Sequence, residues 1–86
     1  MNFAKILTKS EAKWKLIRLP RTLLEAEFPE KNEIFDVEFK GEIYKLKLNT
    51  SNQIMITQLF EKHKFEEGDT LKIKSTSDGF EFNLEK

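Results

Sequence analysis

A mostly-β chain is predicted, with about seven short strands whose sheet closes into a small barrel and two short helices covering its ends. Three observations lead there. Apolar and polar residues alternate in runs such as "IFDVEF", "IYKLKL" and "FEFNL", the period of half-buried strands. Pro20 and Pro29 box in a helical pattern too short to be stable alone. The same order of elements also occurs twice. Ile17, Leu19 and Phe28 are matched 37 positions on by Ile54, Ile56 and Phe65, and Gly41, Tyr44 and Leu46 are matched 38 positions on by Gly79, Phe82 and Leu84. Each half reads strand, short helix, strand, turn, strand.

The elements follow in order. "FAKIL" opens the chain as a strand. Ile17 and Leu19 lie on one side of a second strand, which Pro20 ends because proline cannot donate to a ladder. "TLLEAEF" places Leu23, Leu24 and Phe28 near one helical face, and Pro29 limits that helix to about two turns. In the next strand Phe35, Val37 and Phe39 alternate with Asp36 and Glu38. A tight turn at Gly41 leads into a strand with Tyr44, Leu46 and Leu48 set against Lys45 and Lys47. "QIMIT" puts Ile54 and Ile56 on one side. Thr57 is then a cap for a helix through "QLFEKHKF", with Leu59, Phe60 and His63 toward the core. "EEGD" turns the chain into "TLKIK", and Asp78-Gly79 is a hairpin signal before "FEFNL". One domain spanning residues 1–86 is expected.

Composition narrows the function classes. The chain is 38% hydrophobic and 35% charged, which suits a soluble globular domain. It has no cysteine, so neither a disulfide framework nor a thiolate metal site is available. No apolar run reaches the length of a membrane span, and "MNFAKILTKS" lacks the apolar stretch of a signal peptide. Formal net charge is zero, yet the charges are ordered. Residues 1–21 carry six Lys/Arg against one Glu, and residues 22–44 two Lys against seven acids. Residues 45–64 carry four against one, and residues 65–86 three against six. Basic and acidic blocks thus alternate in step with the repeat. Such runs are commonly solvated faces, and alternation in register with structure asks for more.

With the elements placed, three segments resemble one family. "FAKILTKSE" resembles the opening Phe-x-Lys-x-Leu-Thr-x-Ser-Asp/Glu pattern of the plant B3 DNA-binding domain. "RLPRTLLEAEFP" resembles its strand-to-helix segment, and "FEEGDTLKI" its late Gly-Asp turn into a strand. The matches come in the right order from Phe3 to about Leu84. The wider group, the DNA-binding pseudobarrels, includes DNA-recognition domains of bacterial restriction endonucleases. Where plant members carry Gly-Trp this chain has Gln58 and Leu59, which favours a prokaryotic or divergent relative.

The resemblance implies a seven-stranded open pseudobarrel that grips the major groove of double-stranded DNA with two arms. The first is "TKSEAKWKLIR", with Lys9, Ser10, Lys13, Trp14, Lys15 and Arg18. The second is "KLKLNTSNQ", with Lys45, Lys47, Asn49, Thr50, Ser51, Asn52 and Gln53. Both coincide with the basic blocks. Lys9, Lys13, Lys15, Lys45 and Lys47 suit phosphate neutralisation, whereas Arg18, Asn49, Asn52 and Gln53 can pair with base edges. Trp14, between two lysines, either stacks on a sugar or base or caps the core.

No phosphate-binding glycine loop, nucleophile elbow or metal motif is present, and Glu25, Glu27, Glu30 and Glu33 form no recognisable acid pair. His63 stands alone as a half-buried structural residue. The expectation is a non-enzymatic, intracellular and monomeric DNA-binding domain. It needs no cofactor, metal, membrane or small-molecule substrate. It is either a transcription regulator, nucleoid-associated or nuclear by source, or the recognition domain of a restriction endonuclease with a fused or associated nuclease. Two other readings stay open. One is a fused pair of swapped-hairpin units, as in small bacterial transition-state regulators. The other is a non-catalytic protein-interaction β-barrel, favoured if acids from residues 25–42 interleave with the basic blocks.

Overall fold

The computed structural model describes residues 2–85. Strands are β1 (Asn2–Ile6), β2 (Leu16–Arg18), β3 (Ile34–Phe39), β4 (Glu42–Lys47), β5 (Gln53–Met55), β6 (Thr70–Ser75) and β7 (Phe80–Glu85), and helices are α1 (Lys9–Trp14), α2 (Arg21–Glu27) and α3 (Thr57–Phe60). Five strands form one sheet in the order β1-β6-β7-β3-β4, and β2 and β5 form a separate ribbon. Every pairing is antiparallel except β3 with β7. A single bridge, Leu48 to Ile54, ties the end of β4 to the ribbon. No ladder joins β1 to β4 among the described residues, so the barrel is open. No helix among the described residues is long and apolar enough to cross a membrane.

The predicted alternation appears directly as burial. Phe35, Val37 and Phe39 of β3 are buried, as are Tyr44 and Leu46 of β4, Leu71 and Ile73 of β6, and Phe80 and Phe82 of β7. Two aromatic groups close the two ends of β3. Phe28, just after α2, stacks on Phe80 at 4.3 Å and meets Phe35 edge-on at 5.6 Å. Phe65, beyond α3, lies 4.6 Å from Phe60 and 5.5 Å from Phe39. Phe35 and Phe39 are about 13 Å apart along a strand, so α2 and α3 cover opposite ends of the core. The box around α2 works as the sequence predicts. Pro20 starts the helix, and Phe28 is extended (φ −105, ψ 152), as a residue before proline tends to be.

Two helical expectations need correction. The described residues hold three helices rather than two, because residues 9–14 of the first arm form α1. Thr8 caps it: the Thr8 hydroxyl accepts from the Glu11 amide while the Glu11 carboxylate accepts from the Thr8 amide. This reciprocal capping box is written in the sequence as Thr-x-x-Glu. The second-half helix stops at Phe60, well short of Phe65, and Thr57 lies inside it with Ile56 at the cap. Residues five apart do not face one another on a helix. Ending α3 early therefore lets Phe65 turn back onto Phe60. His63 is half-buried with its ring edge-on to Phe39 at 4.8 Å.

The internal repeat becomes a local two-fold at the ribbon, which the large sheet does not share, since β3 pairs with β7 but β4 does not pair with β6 among the described residues. In the ribbon Ile17 lies opposite Ile54, its own counterpart 37 positions on. Val37 opposite Tyr44 is matched by Ile73 opposite Phe82, and Phe35 opposite Leu46 by Leu71 opposite Leu84. The hairpins differ in their turns. Lys40 and Gly41 both have positive φ (54° and 82°), as a two-residue type I′ turn requires, while β6 and β7 are joined by a longer loop ending at Gly79. A Cβ on Gly79 would lie 2.3 Å from the Asp36 carbonyl oxygen, where β7 begins to run beside β3. Gly79→Ala is expected to cost about 1–3 kcal/mol, the scale of a backbone clash in a packed core. Thermal unfolding followed by circular dichroism checks this, and an unchanged Tm would contradict the close approach.

Candidate nucleic-acid interface

The two predicted arms meet on the β2–β5 ribbon. Arg18 lies directly opposite Gln53, bringing together positions 35 residues apart in the chain. Ile17 and Ile54 point into the core with no exposure, so Arg18, Gln53 and Met55 take the outward side. On one flank stands α1, packed against β2 with Lys9, Ser10, Lys13 and Trp14 exposed. On the other is the hairpin from Leu48 to Ile54 with Asn49, Thr50, Ser51 and Asn52. The ribbon is a floor between two walls.

One buried carboxylate fixes the first wall to the floor. Glu11 is 1% exposed, and its carboxylate accepts from the backbone amides of Thr8 (3.0 Å) and Arg18 (2.8 Å). The Lys5 ammonium pairs with it at 2.6 Å and also donates to the Arg18 carbonyl oxygen at 2.8 Å. The N–H and C=O of Arg18 that face away from β5 thus find side chains where a third strand would otherwise be needed. Burial pushes the Glu11 carboxyl up, but the Lys5 hydrogen bond and the Arg18 and Thr8 amides outweigh it, and the group is held below its ordinary value of 4.5.

The second wall is braced by Asn49. Its side-chain oxygen accepts from the amides of Ser51 (2.9 Å) and Gln53 (3.0 Å), while its amide nitrogen donates to the Gln53 side-chain oxygen (3.3 Å). Asn52 closes the turn with φ 60° and donates its backbone N–H to the Asn49 carbonyl. Lys31 reaches the Thr50 carbonyl from outside. The Asn49 carboxamide therefore shapes the loop and orients Gln53. At the matching point of the first wall, Lys15 takes φ 59°. A left-handed conformation costs an L-residue about 1–2 kcal/mol, so both turns are held by their surroundings.

The remaining predicted residues separate. Trp14 is 60% exposed, so it does not cap the core, and the Lys13 ammonium sits 5.1 Å from its ring. Lys45 and Lys47 lie on the outer face of β4, where Lys45 pairs with Asp36 at 2.9 Å and Lys47 lies opposite Ile34. That pair is solvent-exposed and of the kind worth about 0–1 kcal/mol. Three residues escaped the sequence reading. Glu11 was legible only through the Thr-x-x-Glu pattern, Lys5 through no local signal, and Met55, 41% exposed on the ribbon, only through its alternation with Ile54 and Ile56. Among the described residues no cluster of His, Cys, Asp or Glu is arranged to hold a metal ion.

Among solved structures, the N-terminal domain of Helicobacter pylori LlaJI.R1 superposes with a TM-score of 0.81 at 10% identity, covering 100% of this chain and 88% of that one. The fold is a B3-like pseudobarrel. The Arabidopsis FUS3–DNA complex also shares this pseudobarrel, with a TM-score of 0.73, 18% identity and coverage of 98% and 95%. No protein-family model and no curated protein matches the sequence.

Because the folded state holds Glu11 below its unfolded value, its stabilisation is full above about pH 4.5 and disappears as pH falls through the folded-state pKa. Glu11→Gln is expected to flatten the pH dependence of stability below pH 4.5, and Glu11→Ala to cost about 3 kcal/mol by leaving Lys5 and the Arg18 amide unpaired. Urea unfolding between pH 3 and 7 measures both. Parallel wild-type and Glu11→Gln profiles would exclude the carboxylate clamp.

Proposed function

We propose that this chain is a sequence-specific double-stranded DNA-binding domain that reads the major groove, with α1 and the 49–53 loop on either side of the duplex and the β2–β5 ribbon facing the base edges. The observation that carries this reading is the register of Arg18 opposite Gln53 between a basic wall and a polar wall. Arg and Gln are the side chains suited to bidentate pairing with guanine and adenine. Lys9, Lys13 and Lys15 have no ion-pair partner among the described residues, which leaves them to meet phosphates. The FUS3 structure of the same fold is a DNA complex, which supports the partner class. The domain supplies recognition without catalysis, as a regulator or as the recognition part of a restriction system.

Two observations speak for an interaction module instead. Acids from residues 25–42 do interleave with the basic blocks, Glu25 pairing with Arg21, Asp36 with Lys45 and Glu42 with Lys62, although none of these pairs involves α1 or the 49–53 loop. Ile34 and Ile43 are 65% and 60% exposed on the outer face of β3 and β4, beside Asp36 and Glu38. They stand at opposite ends of that face with the Lys45–Asp36 pair between them, so they form no continuous patch.

Retention of random-sequence duplexes at several salt concentrations tests the proposal. With about five phosphate contacts, log K should fall against log salt with a slope of roughly −4 to −5. Lys13→Ala should lower that slope by about 1 with sequence preference unchanged, whereas Arg18→Ala should cost about 1–3 kcal/mol and relax one position of the selected motif. No retention even at low salt would sink the DNA reading and promote the interaction module.

A further inference from the structure

We propose that the duplex docks with one of its own dyads on the domain's internal two-fold, so that Arg18 and Met55 read the two base pairs this dyad relates. The proposal rests on the DNA-binding reading and adds its geometry. In an antiparallel pair, a residue opposite its own repeat counterpart marks a two-fold axis, and Ile17 opposite Ile54 does so here. The same offset of 37 carries Lys15 onto Asn52, and both hold a left-handed backbone just before the ribbon (φ 59° and 60°). Helical and hairpin walls thus enter the ribbon by equivalent turns. The hairpins repeat the same kind of inward pairs at offsets of 36 and 38, so the two-fold is tightest at the ribbon itself.

On the ribbon's outward side this symmetry maps Arg18 onto Met55 and Leu16 onto Gln53. The first pair is exposed on both members, with Met55 at 41%. Leu16 is buried, so Gln53 has no exposed counterpart across the axis. Duplex DNA has two-folds perpendicular to its axis, so a protein with a matching axis meets equivalent backbone on both strands, as dimeric readers of palindromes do. This domain's two halves carry unlike side chains at equivalent points. Arginine suits the acceptors of guanine, and an exposed methionine thioether suits the thymine methyl group. The recognised site therefore has a symmetric backbone footprint and unlike bases: guanine on one strand, and thymine at the dyad-related position of the other.

Selection from a random duplex library by the wild-type chain and by Met55→Arg tests this. The wild-type motif should be asymmetric. The variant should gain a guanine on the opposite strand at an equal distance from the centre, forming an inverted repeat preferred over the original site by about tenfold or more. A variant motif that is unchanged, or that gains guanine elsewhere, overturns the dyad assignment. Phosphate-ethylation interference on the wild-type complex decides the matter without the variant. Interference on both strands, placed symmetrically about the motif centre, is expected, and interference confined to one strand overturns the proposal while leaving DNA binding intact. Failure of the wild-type chain to retain any duplex overturns both readings together.

Discussion

The Glu11 carboxylate is the constraint on which the rest of the site depends. It caps α1 through Thr8, pairs with Lys5 of β1 and accepts the Arg18 amide of β2. Three elements that share no ladder with one another are therefore joined through one buried group. The open barrel makes that group necessary. A closed sheet would pair the outer edge of β2 with another strand, and here two side chains do so instead. A buried charge is tolerated because its hydrogen bonds are filled by a cation and two backbone amides. The position of Arg18 on the ribbon is thus tied to the same interaction that starts the first wall.

The core plays the complementary part. β3 runs through its middle, paired with β4 on one side and β7 on the other. Phe28 and Phe80 close one end against Phe35, and Phe60 and Phe65 close the other against Phe39. Both short helices serve mainly to deliver an aromatic ring, which explains why neither needs length. The ribbon hangs from this core by Ile17 and Ile54, both without exposure. Its open outer positions are Arg18 and Met55, both exposed, and the half-buried Gln53, while Leu16 on that side is covered.

Much of this was legible in the chain. Strand alternation marked the strands of the first hairpin and the ribbon because half-buried sheets impose a period of two, turn residues placed "TLKIK" and "FEFNL", and the prolines bounded α2 because they restrict backbone torsions whatever the tertiary context. The repeat was visible in Ile17/Ile54 and Tyr44/Phe82, positions where both halves fill one core. The first-arm helix was hidden because six residues are too few for helical periodicity, and only its capping box betrays it. The early end of α3 depends on Phe65 stacking on Phe60, a contact that no local propensity encodes. Met55 was hidden because an apolar residue within "IMI" reads as core, although Ile54 and Ile56 on one side already put it on the other.

The zero net charge also has a spatial explanation. The acidic blocks fall largely on the loops and the outer faces of the sheet, where lysines answer several of their carboxylates: Lys45 with Asp36, Lys62 with Glu42 and Lys72 with Glu85. The first wall differs. Its one acid is buried and neutralised by Lys5, while Lys9, Lys13, Lys15 and Arg18 face outward. Cations without an ion-pair partner among the described residues therefore gather on the ribbon's flank, with Lys47 and Lys74 standing apart on the sheet and Lys40 at the turn between β3 and β4. A strongly basic protein is drawn to any polyanion along its whole surface. A neutral one whose unpaired cations gather mainly beside one ribbon is drawn chiefly at that face, which is the charge distribution that the proposed orientation requires.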